Sequence, residues 1–397
     1  MAALTNAFAI AAPSMSLAVL FEEIAADLNL SLVQVGMVWG IASLPSILFS
    51  LVGGAIGDRF GPKRVLIIGC LAAGLFGALR GLTVNFATLI AAMLLFGTAA
   101  PFISMNTVKT CGMWFPKRQL GLASGVLSMA MAFGFLFGSM FSATTLSPML
   151  GGWRNVLFFY GAAAVLLALP WIFTNARPPE APAADGIAAP LVKPTSILHN
   201  TARVLRIRNI LLLGVALLGF NGSVQGTLGY LALYLRDQGW PPASADGALA
   251  AFHTVSMLAT IPIALLSDRL GTRKKILLAA ITSVSLGGVL LTFVQGSLIW
   301  PAVLMMGMVR DGFMAVIITA SIETDGIGPG LAGTAMGAIM VFSNLGGLLA
   351  PALGNSLAAV SPALPFLFWA GLAEIGFLSL LRMVEQPRVP VVPRPVS

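Results

Sequence analysis

The sequence predicts an all-α integral membrane protein whose twelve transmembrane helices form two pseudo-symmetric six-helix bundles. First, 58% of its 397 residues are hydrophobic and only 9% are charged, which is too apolar for a soluble domain of this size. Second, apolar runs of about 20 residues, the length that crosses a bilayer, occur twelve times. Third, a charged turn recurs after 210 residues, which indicates that the chain contains two copies of one structural unit.

The apolar runs divide the chain into two bundles and a connector. We expect an amino-terminal bundle over residues 1–174, a cytoplasmic linker over 175–208, a carboxyl-terminal bundle over 209–382 and an unstructured tail over 383–397. Prolines exclude a regular helix from the first part of the linker, and a short basic amphipathic helix is expected after it. The predicted spans are 2–21, 34–57, 65–83, 86–108, 121–146, 154–174, 210–235, 246–267, 276–295, 298–319, 331–354 and 365–381.

The repeated turn carries the most specific pattern in the chain. Its copies are Gly54-Ala-Ile-Gly-Asp58-Arg59-Phe-Gly61-Pro-Lys63-Arg64 and Ala264-Leu-Leu-Ser-Asp268-Arg269-Leu-Gly271-Thr-Arg273-Lys274. A second pair of motifs, Gly121-Leu-Ala-Ser-Gly125 and Gly333-Thr-Ala-Met-Gly337, lies 212 residues apart, as do Gly134 and Gly346. The halves therefore share motifs at matching positions as well as composition.

Two hydrophobic halves with this turn after the second span of each resemble the major facilitator superfamily of secondary transporters. Residues 54–64 match the family signature Gly-x-x-x-Asp-(Arg/Lys)-x-Gly-x-(Arg/Lys)-(Arg/Lys) at every specified position, and the second copy departs from it only at Ala264. Trp114-Phe-Pro-Lys117-Arg118, together with the 121–125 motif, resembles the loop into span 5 of small-anion transporters of the cyanate and nitrate type and of organic-anion members. The resemblance implies alternating access about a site at mid-membrane.

The resemblance also implies a gating role for both turns. Asp58 is expected near the start of span 11, and Asp268 near the start of span 5 at Leu120, because helix N-termini favour carboxylates. These contacts would clamp the halves together. The gating residues implied are Gly54, Asp58, Arg59, Gly61, Lys63, Arg64, Asp268, Arg269, Gly271, Arg273 and Lys274.

The net charge of +8 reflects membrane topology and requires no nucleic-acid partner. On the predicted spans, 18 of the 22 Lys and Arg residues fall on one side of the membrane. Arg80, Arg154 and Arg236 belong to the opposite side, and only Arg310 remains within a span. The positive-inside rule therefore places both termini in the cytoplasm, and we expect a multi-pass protein of a bacterial-type inner membrane.

Arg310 and Asp311 lie near the middle of span 10, where a charge is costly unless it is paired or hydrated. In the resembled family, spans 1, 4, 7 and 10 line the pathway, which implies that Arg310 binds a small organic or inorganic anion through bidentate hydrogen bonds. Asn221 and Gln225 share one face of span 7 and are expected to supply further hydrogen bonds. The alternatives are a structural ion pair between Arg310 and Asp311, and hydrogen bonding between helices by the two amides.

Asp311, Glu374 and His253 are the candidate proton carriers, and proton coupling, exchange and uncoupled transport all stay open. Met93 stands where many relatives have an Arg, which removes one usual coupling residue. Efflux of a drug or cation by proton antiport, with Asp311 as counter-ion, and a non-transporting membrane sensor are the alternative functions. We expect no enzymatic activity, cofactor or metal site, because no His and acid constellation is recognisable. The expected partners are a small-molecule substrate, the bilayer and, if transport is coupled, protons, and we expect a monomer.

Overall fold

A computed structural model describes residues 1–116, 119–175, 197–327 and 331–384. In this part of the chain, twelve helical segments are long and apolar enough to cross a membrane, which confirms the predicted number. Numbered as spans 1 to 12, they are Ala2–Leu28, Leu32–Phe49, Pro62–Leu82, Phe86–Trp114, Leu122–Leu150, Trp153–Phe173, Arg208–Asp237, Pro242–Leu270, Arg273–Phe293, Gly296–Ile322, Ala332–Ala359 and Leu364–Leu381. The helix of span 2 continues through Ser43–Phe60. Spans 1–6 are called the amino half below, and spans 7–12 the carboxyl half.

Several helices extend beyond the apolar runs that predicted them. Span 1 continues from the predicted residue 21 to Leu28, and span 4 from residue 108 to Trp114. Polar residues between the spans cap the helices: Ser31 with Gln34, and Asn85 with Thr88, form capping boxes at the starts of spans 2 and 4. Hydropathy locates the hydrocarbon-facing part of a helix, whereas backbone hydrogen bonding continues to the cap.

Glycines bring spans into close contact at equivalent places in the two halves. A Cβ atom added to Gly134 of span 5 would lie 2.4 Å from the carbonyl oxygen of Ala7 in span 1. A Cβ atom added to Gly346 of span 11 would lie 2.3 Å from the carbonyl oxygen of Leu218 in span 7. Small residues allow such backbone contact in membranes. The spacing of 212 residues seen in the sequence therefore corresponds to one packing contact used twice.

The described part of the linker contains the helix Ile197–Leu205, which lies within the segment predicted to be amphipathic. This helix packs against span 11, and Val204 is fully buried. Residues 176–196 and the tail from residue 385 lie outside the described residues. Below, the end of the bundle that bears Glu22 and Arg236 is called the Arg236 end, and the end that bears the two repeated turns is called the signature-turn end.

Candidate functional site

A cavity of about 290 Å³ lies between the two halves. The family resemblance implied lining by spans 1, 4, 7 and 10, and all four contribute, together with spans 2, 5 and 11. Among its described lining residues, Arg310 is the only ionisable one. The lining residues are Ile10, Ser14, Met15, Trp39, Ala42, Ser43, Ser46, Met93, Phe96, Gly97, Ala100, Met131, Phe135, Gln225, Arg310 and Asn344.

Arg310 enters the cavity from the carboxyl half and bonds to its neighbour in sequence. Its Nη1 donates to Oδ1 of Asp311 at 2.9 Å, and the Arg310 side chain is 20% exposed. Oδ2 of Asp311 accepts a hydrogen bond of 2.7 Å from the Ser256 hydroxyl. The ion pair that the sequence left open is thus formed in this conformation. A guanidinium has five N–H donors, so one bond to Asp311 leaves donors for an anion.

Phe135 of the amino half contacts two polar groups of the carboxyl half. The Cζ atom of Arg310 is 5.1 Å from its ring centroid. The imidazole of His253 stacks against the same ring, with centroids 5.1 Å apart and planes 29° apart. His253 is buried, and neither ring nitrogen has a partner among the described residues. The structure therefore brings Arg310 and His253 to one aromatic ring, with Asp311 bonded to Arg310.

The two amides of span 7 have different surroundings. Gln225 lines the cavity, and its backbone oxygen accepts a hydrogen bond of 2.8 Å from Nε1 of Trp39 in the amino half. Asn221 donates to the backbone oxygen of Ser343 in span 11 at 2.9 Å. Asn221 therefore makes a hydrogen bond between helices, and Gln225 is the amide that borders the cavity.

Four polar lining residues were not anticipated as site residues: Ser14, Ser43, Ser46 and Asn344. Their hydroxyl and amide groups are common inside membrane helices, so the sequence contains no signal that singles them out. Asn344 also donates to the backbone oxygen of Met340 in its own helix at 2.9 Å. Their position at the cavity follows only from how the seven spans pack.

Glu374 is separated from this cluster. It lies on an exposed face of span 12, next to Ile375 and one turn before Leu378, which are both exposed. Among the three candidate proton carriers, His253 and Asp311 are therefore close to Arg310 and Glu374 is not. Within the described residues, no group of three or more His, Cys, Asp or Glu is arranged to hold a metal.

Arg80 lies at the end of span 3 that faces away from the signature turn, the side to which the sequence assigned it, but its burial was not anticipated. Arg80 is 0% exposed and packs between spans 1 and 4. It follows the last α-helical turn of span 3, and its long side chain reaches inward to the backbone oxygen of Pro13 and the ring of Phe96. The charge lies at the end of an apolar run, so the sequence indicated its end of the helix but not that the side chain turns inward.

Hydrogen bonds join the two halves at the Arg236 end. Arg236 of span 7 donates to Oδ1 of the fully buried Asp246 at 2.5 Å and to Glu22 of span 1 at 2.9 Å. The Thr144 hydroxyl of span 5 donates to the other oxygen of Asp246 at 2.5 Å. Asn355 of span 11 donates to the backbone oxygen of Leu32 at 2.8 Å. This end is closed by polar contacts between the halves.

The contacts described for the repeated turns stay within each half. Lys63 donates to the backbone oxygen of Ile172 at 2.8 Å, and Lys274 donates to that of Leu381 at 2.8 Å, so each places a cation at the carboxyl end of the last span of its half. Asp268 is 63% exposed and accepts from Nη1 of Arg273 at 2.7 Å. The predicted contact of Asp268 with the start of span 5 is therefore not formed among the described residues.

The remaining turn residues divide into described and undescribed positions. Gly61 has φ of +83° and Gly271 has φ of +66°, which is the left-handed conformation that favours glycine. Arg59 is exposed, with its guanidinium 5.4 Å from the Phe60 ring centroid. The environment of Gly54 and the side chain of Asp58 lie outside the described structure, as do Lys117 and Arg118. The predicted contact of Asp58 with span 11 therefore stays a prediction.

Comparison with known proteins gives related sequences and folds. A probable galactarate/D-glucarate transporter of Bacillus subtilis is 27% identical over 180 residues, which cover 42% of this chain and only 38% of that protein. The cis,cis-muconate transport protein of Acinetobacter baylyi is 24% identical over 357 residues, or 87% of this chain and 83% of that protein.

A solved structure extends the likeness to the fold. The inward-facing, unoccupied crystal structure of a bacterial homologue of the human lysosomal transporter Spinster superposes with a TM-score of 0.74 at 16% identity. It covers 96% of this chain and 93% of that chain. The sequence profile of the Major Facilitator Superfamily matches residues 2–351. With twelve spans, a motif repeated between the halves and a cavity between them, the chain belongs to the Major Facilitator Superfamily.

Proposed function

We propose that this protein is a secondary transporter that moves a small organic anion across a bacterial-type inner membrane by alternating access, with Arg310 as the anion-binding residue. The observation that carries this proposal is the cavity itself, in which a guanidinium is the only ionisable group among the described lining residues. Relatives whose names specify galactarate, D-glucarate and muconate support an organic acid. Gln225 and Asn344 border the same space and would add hydrogen bonds, whereas Asn221 would support the site from behind.

The closed Arg236 end corresponds in this proposal to the outer side, and the signature-turn end to the cytoplasm. This orientation follows the positive-inside rule and puts both termini in the cytoplasm. The likeness to an inward-facing neighbour supports the same state for this structure. In that state Asp268 lies away from span 5, and closure of the cytoplasmic end would bring Asp268 to span 5 and Asp58 to span 11. Residues 1–174 and 209–382 would act as the two moving bundles, joined by the 175–208 linker.

In the proposed cycle, Phe135 is a site residue that changes position relative to Arg310. An anion at Arg310 competes with Asp311 for the guanidinium, and Phe135 belongs to the half that moves relative to Arg310. Withdrawal of Phe135 would expose both His253 and the freed Asp311, so these two are the preferred proton carriers if protons accompany the substrate. We propose a monomeric transporter without catalytic activity as the functional unit.

Ligand-induced thermal stabilisation of the purified protein tests the proposal, using a panel of organic anions, cationic drugs and sugars. We expect one class of organic anion to stabilise the protein, Arg310→Ala to abolish the effect, and Arg310→Lys to weaken it by about tenfold in affinity because bidentate geometry is lost. Arg154→Ala is the matched control, since Arg154 pairs with Asp27 at the Arg236 end and away from the cavity. Stabilisation by a cationic drug that depends on Asp311 would overturn the proposal.

Counterflow of the stabilising anion in proteoliposomes distinguishes a transporter from a sensor. A transporter exchanges labelled ligand across the membrane when unlabelled ligand is present inside. A protein that binds the anion but shows no counterflow would be a sensor, and the transport part of the proposal would be wrong.

A further inference from the structure

Arg80 is a buried cation that has no acidic partner among the residues that the structure describes. Its Nη1 donates to the backbone oxygen of Pro13 at 3.0 Å, and its Nε donates to that of Gly77 at 3.2 Å. The Nη2 atom is buried and has no hydrogen-bond partner among the described residues. Arg154, Arg236, Arg273 and Arg310 each pair with at least one carboxylate, whereas no carboxylate pairs with Arg80 in the described part of the chain.

Two carbonyl groups and one aromatic ring compensate this charge only in part. The Cζ atom of Arg80 lies 3.9 Å from the ring centroid of Phe96, a close cation–π contact. A guanidinium keeps its proton in proteins, so the charge is retained. Burial of an unpaired charge is strongly unfavourable. The incompletely compensated charge of Arg80 therefore favours the binding of an anion nearby.

The Arg80 charge is separated from the cavity by a single side chain. Phe96 lines the cavity, and so does Ser14, the residue after the Pro13 carbonyl that Arg80 binds. No carboxylate is among the described residues that line the cavity, so nothing there offsets the field of Arg80. The cavity thus lies between two guanidinium groups. Arg80 belongs to the amino half behind Phe96, and Arg310 to the carboxyl half beside Phe135.

We propose that the cavity selects a dianion, one acidic group binding Arg310 and the other being drawn towards Arg80 on the Phe96 side. This inference rests on the proposed function, because it assumes an anion at Arg310. A monoanion on Arg310 leaves the Arg80 charge without a partner. An extended dicarboxylate balances both charges and connects the two halves through the substrate. A rotation of the Phe96 ring would bring the second carboxylate to the buried Nη2 group.

Two probes that differ by one charge test this selection: adipate, which carries two carboxylates, and its monomethyl ester, which carries one. We expect the wild-type protein to bind adipate about tenfold more tightly than the ester, as a charge interaction across several ångströms of protein would give. Arg80→Gln should bring the two affinities within about threefold of each other, because adipate loses more affinity than the ester does. Arg80→Lys keeps the charge and should keep most of the preference.

Arg154→Gln is the matched control, since it removes an arginine from the same half that already has a carboxylate partner. This variant should preserve the preference for adipate. Wild-type protein that binds the ester as tightly as adipate would overturn the inference, even if Arg80→Gln failed to fold. An Arg80→Gln variant that loses both ligands equally would also overturn it. If neither probe nor any other anion stabilises the protein, the proposed function itself fails.

Discussion

The two ends of the bundle use similar side chains with different partners. At the Arg236 end, an arginine of span 7 and a buried aspartate of span 8 connect the carboxyl half to spans 1 and 5 across the interface between the halves. At the signature-turn end, Asp268 bonds to Arg273 and Lys63 bonds to the last turn of span 6, within one half in each case. Charged residues are present at both ends, and only their partners distinguish the closed end.

This difference shows which interactions report the conformational state. A contact within one half moves with its bundle and survives a rocking motion, whereas a contact between halves must break when that end opens. In the proposed alternating-access cycle, the Arg236 network is therefore coupled to the transition, and the contacts at the carboxyl ends of spans 6 and 12 are not. Substitutions at the two ends should have effects of different size and kind.

The largest effect is expected at Asp246. Asp246→Ala leaves Arg236 and Thr144 without their common buried partner, and breaking a buried pair costs about 3–5 kcal/mol. We expect a clear drop in melting temperature, with an opened Arg236 end in the protein that remains folded. Differential scanning fluorimetry in detergent measures the drop in melting temperature. Asp27→Ala is the control, because the pair of Asp27 with Arg154 is partly exposed and lies within one half. This substitution should lower the free energy of unfolding by less than about 1 kcal/mol. Equal losses in the two variants would contradict the comparison.

An intermediate effect is expected at Gly40, where spans 2 and 11 meet across the interface. A Cβ atom there would lie 2.4 Å from the backbone oxygen of Leu348, so Gly40→Ala forces the halves apart at a cost of about 1–3 kcal/mol. Spin labels at the exposed positions Asn29 and Gln238, with Cys70 and Cys111 replaced, would report a longer distance.

Gly371→Ala in span 12 is the matched control for Gly40→Ala, because nothing lies within 4 Å of its added Cβ atom. It should leave the label distance unchanged. An unchanged distance in Gly40→Ala would show that this contact does not hold the end closed.

The smallest effect is expected at the signature-turn end. Lys63→Gln removes a cation from an exposed helix terminus, which costs about 0.3–1 kcal/mol, and the label distance at the Arg236 end should stay at its wild-type value. Lys274→Gln makes the equivalent change in the carboxyl half and should behave alike. A large conformational shift in either variant would mean that these lysines act across the interface.

Much of the fold was predictable because its signals are local. Runs of apolar residues located all twelve spans, and the 210 to 212 residue repeat anticipated the paired glycine contacts at Gly134 and Gly346. Arg310 was recognisable as a site residue because a charge in the middle of an apolar run is conspicuous. The same reasoning placed Arg80 at the correct end of its span without predicting its burial, and it gave Asp246 no role.

The sequence by itself determined the number of spans, the duplication and the presence of a cation at mid-membrane, because each depends on composition or spacing along one segment. Only the tertiary structure decided which partner each charge has. Asp246 joins the halves, and Phe135 of the amino half contacts both Arg310 and His253 of the carboxyl half. The physical reason is that an ion pair or aromatic contact forms between residues up to about 200 positions apart, and such a distance in sequence carries no local pattern until the helices pack.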